Sequence, residues 1–157
     1  MLRLSVANAG RGKAENVEVI ADSLQRRLPD GSYEQVTTFM RMNLTWSHTG
    51  RVFREAISPQ TAKDCDLAHI LKPSQRPQFP AEDDPHLQRG KAILHFHTEV
   101  KPANLSYLCP PGDYRLHITL AAANAAPVRQ ILTINLTGQW YDDESDMFKD
   151  GVRANLL

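Results

Sequence analysis

His95-x-His97 is the local feature with the sharpest chemical content. Residues two apart on a strand project from the same face, so two imidazoles at this spacing can share one metal ion. Glu99 extends the row. If the strand beginning near Tyr114 is the neighbour of this one, His117 adds a third nitrogen, and the set His95, His97 and His117 suits zinc or copper. The competing reading makes them solvent-facing polar residues of a half-exposed sheet, as their alternation with Leu94 and Phe96 predicts.

Other residue types offer weaker chemistry. Asp64, Asp66 and the run Glu82-Asp83-Asp84 carry oxygen ligands of the kind calcium takes, without the spacing of an EF-hand. Gly10-Arg11-Gly12-Lys13 has the look of a phosphate loop but lacks the full spacing and leads into a strand, so it reads as a hairpin turn. Met40, Met42 and Trp46 can line a ligand pocket, although a stripe of period two is more simply a buried core. Asn43-Leu44-Thr45, Asn104-Leu105-Ser106 and Asn135-Leu136-Thr137 match the glycosylation acceptor pattern, which matters only in a secretory setting. Nucleophile elbow, Walker A loop, HExxH and GxGxxG are all missing, and no nucleophile, base and orienting group occur in an interpretable arrangement. The chain therefore reads as non-enzymatic, with no cofactor indicated.

These residues must be held by something, and the composition says what kind of thing. A chain of 157 residues with 41% hydrophobic and 23% charged content is sized for one domain with a real core. Lys and Arg number 18, as do Asp and Glu, so no net field draws nucleic acid or an anionic membrane. No apolar stretch is long enough for a membrane helix, and Met1-Leu2-Arg3-Leu4-Ser5-Val6 is not a signal peptide. An opening that alternates at once is what a domain excised from a longer protein would show. Cys65 and Cys109 form no CxxC, which excludes a zinc site made of Cys alone; a single disulfide and two reduced buried thiols both remain, the thiols being preferred.

The dominant pattern is period two. Leu2, Leu4 and Val6 alternate, then Asn8 to Gly12 supplies a turn that makes a hairpin with Val17, Val19 and Ala21. Leu28-Pro29-Asp30-Gly31 is a second turn. From Val36 to Trp46, the residues Val36, Thr38, Met40, Met42, Leu44 and Trp46 share one face of one long strand. Asp64 to Leu71 fits a short strand or a helical turn equally well. Residues 72–90, with Pro73, Pro77, Pro80 and Pro85, form a Pro-rich surface loop. Ala92, Leu94, Phe96, Thr98 and Val100 make another strand face, and Tyr114, Leu116, Ile118 and Leu120 another. Ala121 to Pro127 is a small-residue connection, and Leu132, Ile134 and Leu136 point inward from a last strong strand.

About seven short strands without crossover helices predict an all-β fold, an antiparallel β-sandwich. Residues 1–139 form the sandwich domain; 140–157 form a C-terminal tail that adds an edge strand or frays.

Two motifs carry a family resemblance. Asn8-Ala9-Gly10 followed by Ala14, Asn16, Val17 and Val19 resembles the opening hairpin of immunoglobulin-like β-sandwich domains of the bacterial cell-adhesion-related type. Cys109-Pro110-Pro111-Gly112-Asp113-Tyr114-Arg115-Leu116 is similar to the Pro-Gly-x-Tyr turn that opens a late strand there. The resemblance covers about a third of the chain on these residues. It implies a scaffold, an accessory domain of a larger bacterial surface or membrane-attached protein, with no catalytic residues to carry over. Physically, Gly112 permits the tight turn, while Tyr114 buries its ring and reaches a backbone partner with its hydroxyl.

Two functions follow as expectations. The first is a non-catalytic interaction or scaffold module. It would meet a protein partner, or the remainder of a larger chain, through a sheet edge, the Pro-rich loop or the acidic tail. The second is a metal-binding or small-ligand-binding sandwich that uses the His95 and His97 face.

Overall fold

The period-two alternation resolves into two packed antiparallel sheets in a computed structural model, which describes residues 1–79 and 88–157. In chain order the strands are β1 (Leu2–Asn8), β2 (Ala14–Arg27), β3 (Tyr33–Gln35), β4 (Met42–Asn43), β5 (Thr45–Trp46), β6 (Arg54–Ile57), β7 (Thr61–Leu71), β8 (Ile93–Phe96), β9 (Leu108–Cys109), β10 (Gly112–Ala122), β11 (Ala125–Leu136) and β12 (Val152–Leu156). One sheet has the order β1-β7-β8-β9, with β5 also paired to β7. The other runs β12-β11-β10-β2-β3, with β4 and β6 paired to β2.

The core lies between the sheets, where both sets of alternating residues meet. Leu24, Leu116, Ile134 and Leu136 come from one sheet, and Leu67, Ile93, Leu94 and Phe96 from the other; all are essentially inaccessible to water. Each such side chain contributes about 1.5–3 kcal/mol relative to leaving it exposed. Trp46 is buried among them and its indole N–H still has acceptors, the carbonyls of Val17 at 3.1 Å and Val52 at 3.2 Å. That satisfies the one polar group of the largest core side chain.

Three expectations about connections need correction. The turn after β1 does not close a hairpin, because β1 pairs with β7 and β2 belongs to the other sheet. The Asn8 side chain holds this crossing by accepting from the Gly10 N–H and donating to the carbonyls of Gly12 and Ile57. The stretch from Val36 to Trp46 is likewise not one strand. It turns at Thr37 and Thr38, leaves Met40 half exposed, and becomes extended only at Met42. There it changes sheets: β4 pairs with β2, the Leu44 N–H donates to Val19, and the Thr45 N–H donates to His97 across in the second sheet. Met42, Leu44 and Trp46 are buried, so the alternation located the core face correctly. Finally, Ala121 to Pro127 is not a connection, since β10 and β11 run through it and only Ala123 and Asn124 turn. Pro127 is tolerated because β12 pairs with residues 132–136 of β11 and leaves this part of the strand without a partner on that side among the described residues.

Asp64 to Leu71 is strand rather than helical turn, lying within β7. The tail takes the edge-strand alternative. Asp143 caps a single helical turn at Glu144–Asp146, and β12 then pairs with β11 while Met147 and Val152 enter the core. Cys65 and Cys109 are both buried free thiols.

Candidate functional site: a histidine cluster on the five-stranded sheet

The register of β7 against β8 places His69 directly opposite His95. Opposed residues of an antiparallel pair lie on the same side of the sheet with their side chains in reach. His97 follows β8, held by its N–H to the Leu67 carbonyl at 2.9 Å and by its own carbonyl, which accepts from Thr45 N–H at 3.1 Å. Three imidazoles are thereby gathered. The ring of His69 lies 4.5 Å from that of His95 and 4.8 Å from that of His97, while His95 and His97 are 6.0 Å apart. His69 Nδ1 and His97 Nε2 are 2.7 Å apart, a hydrogen bond in which one ring must donate and the other accept. The Tyr107 ring closes the group edge-on, 5.1 Å from His95, with the Lys101 ammonium 5.5 Å from the tyrosine ring.

All three histidines are half-buried, and all three bind protons less readily than a free imidazole. Burial is the first cause in each, because it removes water from the charged form. For His69 the neighbouring His95 and His97 add to it, bringing the pKa down to about 4. For His95 the Lys101 charge adds to burial. For His97 the nearby Asp66 opposes the shift, while the N-terminus, Arg3 and Lys101 reinforce it. At neutral pH the cluster is thus three neutral imidazoles. Each carries one lone-pair nitrogen that can accept or ligate, and one of these is already engaged in the His69–His97 bond.

Within the cluster one buried atom, His95 Nδ1, has no hydrogen-bond partner among the described residues. Among the described residues no group of three or more His, Cys, Asp or Glu side chains, this cluster included, is placed as it stands to hold a metal ion.

His117 is not part of this group. It lies on β10 in the seven-stranded sheet, between Ser23 of β2 and Ile131 of β11, so the neighbour that would make it a third ligand of His95 and His97 is not β10 but β7. Glu99 lies beyond the end of β8 and is exposed. The Asp66 carboxylate is engaged by Arg3 at 2.8 Å and Ser47 at 2.7 Å, and Asp64 is exposed. The Glu82-Asp83-Asp84 run, with Pro80 and Pro85, lies outside the described residues. In the acceptor patterns, the Asn43 amide donates to Glu18, that of Asn104 to the Thr38 carbonyl and that of Asn135 to Asp113.

The chain matches no protein-family model, no curated protein and no solved structure.

Two features escaped sequence reasoning. The first is His69, whose signal was present: it keeps period two with Cys65 and Leu67, so a strand through Asp64–Leu71 puts it on the row that faces β8. The second is a cleft of about 1040 Å³ at one end of the sandwich, between the turn after β3 and the segment before β9. Its apolar wall includes Leu24, Val36, Phe39 and Leu105, and Arg26 and Arg27 stand along it. Phe39 is fixed there by an edge-on contact with Phe96 at 5.9 Å. Residues this far apart in sequence give no local signal of a shared wall.

Proposed function

We propose that this chain is a non-catalytic interaction module that docks an extended segment of a protein partner along the outer edge of β12. The observation that supports this reading is where exposed apolar surface coincides with unpaired backbone. Among the described residues β12 pairs with β11 on one side only, so its other side offers backbone N–H and C=O groups that an extended chain can complete. Phe148, Leu156 and Leu157, all exposed, stand along or beside that edge. Between β12 and β1 lies a recess of about 400 Å³ that includes exposed Met1 together with Phe148 and Val152. Backbone groups in a row select an extended strand, and flanking apolar residues give it side-chain anchors.

An immunoglobulin-like kinship belongs to the same proposal. It is supported by Tyr114, whose buried ring and hydroxyl bond to the Pro110 carbonyl at 2.7 Å reproduce the kind of tyrosine corner found in such sandwiches.

The test is to select peptides against the full chain from a displayed random library and map the tightest by amide chemical shifts. Shifts and new exchange protection concentrated at Val152–Leu156 support the docking edge. Peptides that map to the cleft walled by Phe39 and Leu105, or selection that yields no binder, would overturn it. Concentration-dependent dimerisation through β12 would replace the partner by a second copy.

A further inference from the structure

We propose that His69, His95 and His97 together take a single Zn(II) or Cu(II) ion. The inference is independent of the docking edge, which lies on the other sheet. Three observations carry it.

The first is the donor set. Three neutral imidazoles with no thiolate among them suit a borderline cation such as zinc or copper, whereas magnesium and calcium favour oxygen. The second is the facing pair. His69 Nδ1 and His97 Nε2 are 2.7 Å apart and aim at each other. Two nitrogens on one ion at about 2.0–2.1 Å are separated by roughly 2.9 Å at a right angle and roughly 3.3 Å at a tetrahedral one. Admitting an ion in place of the shared proton therefore takes a few tenths of an ångström of opening together with a turn of both rings, so that lone pairs now facing each other converge on one point. The ring that donates in the metal-free state moves that proton to its other nitrogen through solvent, so both rings bind as neutral ligands and no net proton need be released. The third is the orphan. His95 Nδ1 is buried with no partner among the described residues, in the ring that lies tilted 4.5 Å from His69 on the paired strand. Buried ring nitrogens ordinarily find a partner, and rotation of this side chain toward the pair supplies one.

The setting suits an ion that is held at one side and open at another. Strand pairing fixes the backbones of His69 and His95, and two backbone hydrogen bonds fix that of His97. Asp66 is close enough to His97 to offset part of the ion's charge, although it is already bonded to Arg3 and Ser47. Lys101 and Arg3 oppose the charge.

The experiment titrates the full chain, free of tag histidines, with zinc chloride at pH 7.5, followed by calorimetry and native mass spectrometry. The expected result is one equivalent bound, with affinity falling at least tenfold in His69→Ala and in His97→Ala, falling also in His95→Ala, and unchanged in His117→Ala. Paramagnetic broadening by substoichiometric Cu(II) in the unmodified chain needs no variant. It should erase the ring signals of His69, His95 and His97 first. Absence of stoichiometric zinc, unchanged affinity in His69→Ala, or broadening centred on any other histidine would overturn the site.

Discussion

His69 Nδ1 lies 2.7 Å from His97 Nε2, and the two rings belong to residues 28 apart in sequence, one within β7 and the other just past the end of β8. A hydrogen bond between two neutral imidazoles is lost when both rings take up protons, since neither then accepts. The cluster therefore ties the stability of the five-stranded sheet to pH.

The sign follows from the direction of the shifts. His69 is brought down to about 4, and His95 and His97 are also lowered from the ordinary 6.5, so the unfolded chain takes up protons before the folded one does. Stability should be full above about pH 6.5 and fall as the pH drops toward 4. The expected loss is on the order of 1–2 kcal/mol, reduced from the full shift by the solvent that reaches these rings. Urea denaturation between pH 7.5 and 4.5 checks it, and His69→Gln should flatten the dependence. A midpoint that stays level or rises on acidification would refute the assignment.

Tyr114→Phe removes one oxygen and leaves the ring in place. The Pro110 carbonyl loses its partner at 2.7 Å, so the cost should be about 0.5–1.5 kcal/mol. Thermal unfolding should show Tm lowered by a few degrees. A variant as stable as the parent would mean that water replaces the hydroxyl without loss.

Gly138→Ala and Gly50→Ala separate backbone strain from crowding. Both glycines have positive φ, +82° and +65°, but a Cβ at Gly138 would lie 2.5 Å from Pro111 Cγ, whereas at Gly50 nothing lies within 4 Å. Gly50→Ala should cost about 1 kcal/mol from conformation alone, and Gly138→Ala more than about 2 kcal/mol. Equal losses in chemical denaturation would contradict the close approach of Gly138 to Pro111.

The thiols should be silent until the fold opens. Burial pushes both Cys65 and Cys109 up to about 12, so almost no thiolate exists at neutral pH. A thiol reagent should label neither residue in the native chain and both in denaturant. Rapid native labelling of either would show that its end of the sandwich opens readily.

Period two alone determined that the chain folds as all-β, and it marked Val19, Leu94, Phe96, Leu116, Ile134 and Leu136 as core, because alternation decides which side chains a half-buried strand hides. The turn chemistry around Tyr114 was legible for the same reason: its hydroxyl partner, Pro110, is four residues away. What the tertiary structure decided was which strands meet. β1 and β2 are adjacent in sequence yet belong to different sheets, and the chain from Met42 to Trp46 serves both, because pairing is settled by burial of whole faces rather than by local propensity. The same choice dissolved the set of His95, His97 and His117. His95 and His97 are placed together by spacing, but their third neighbour depends on which strand lies beside β8, and that strand is β7, which brings His69.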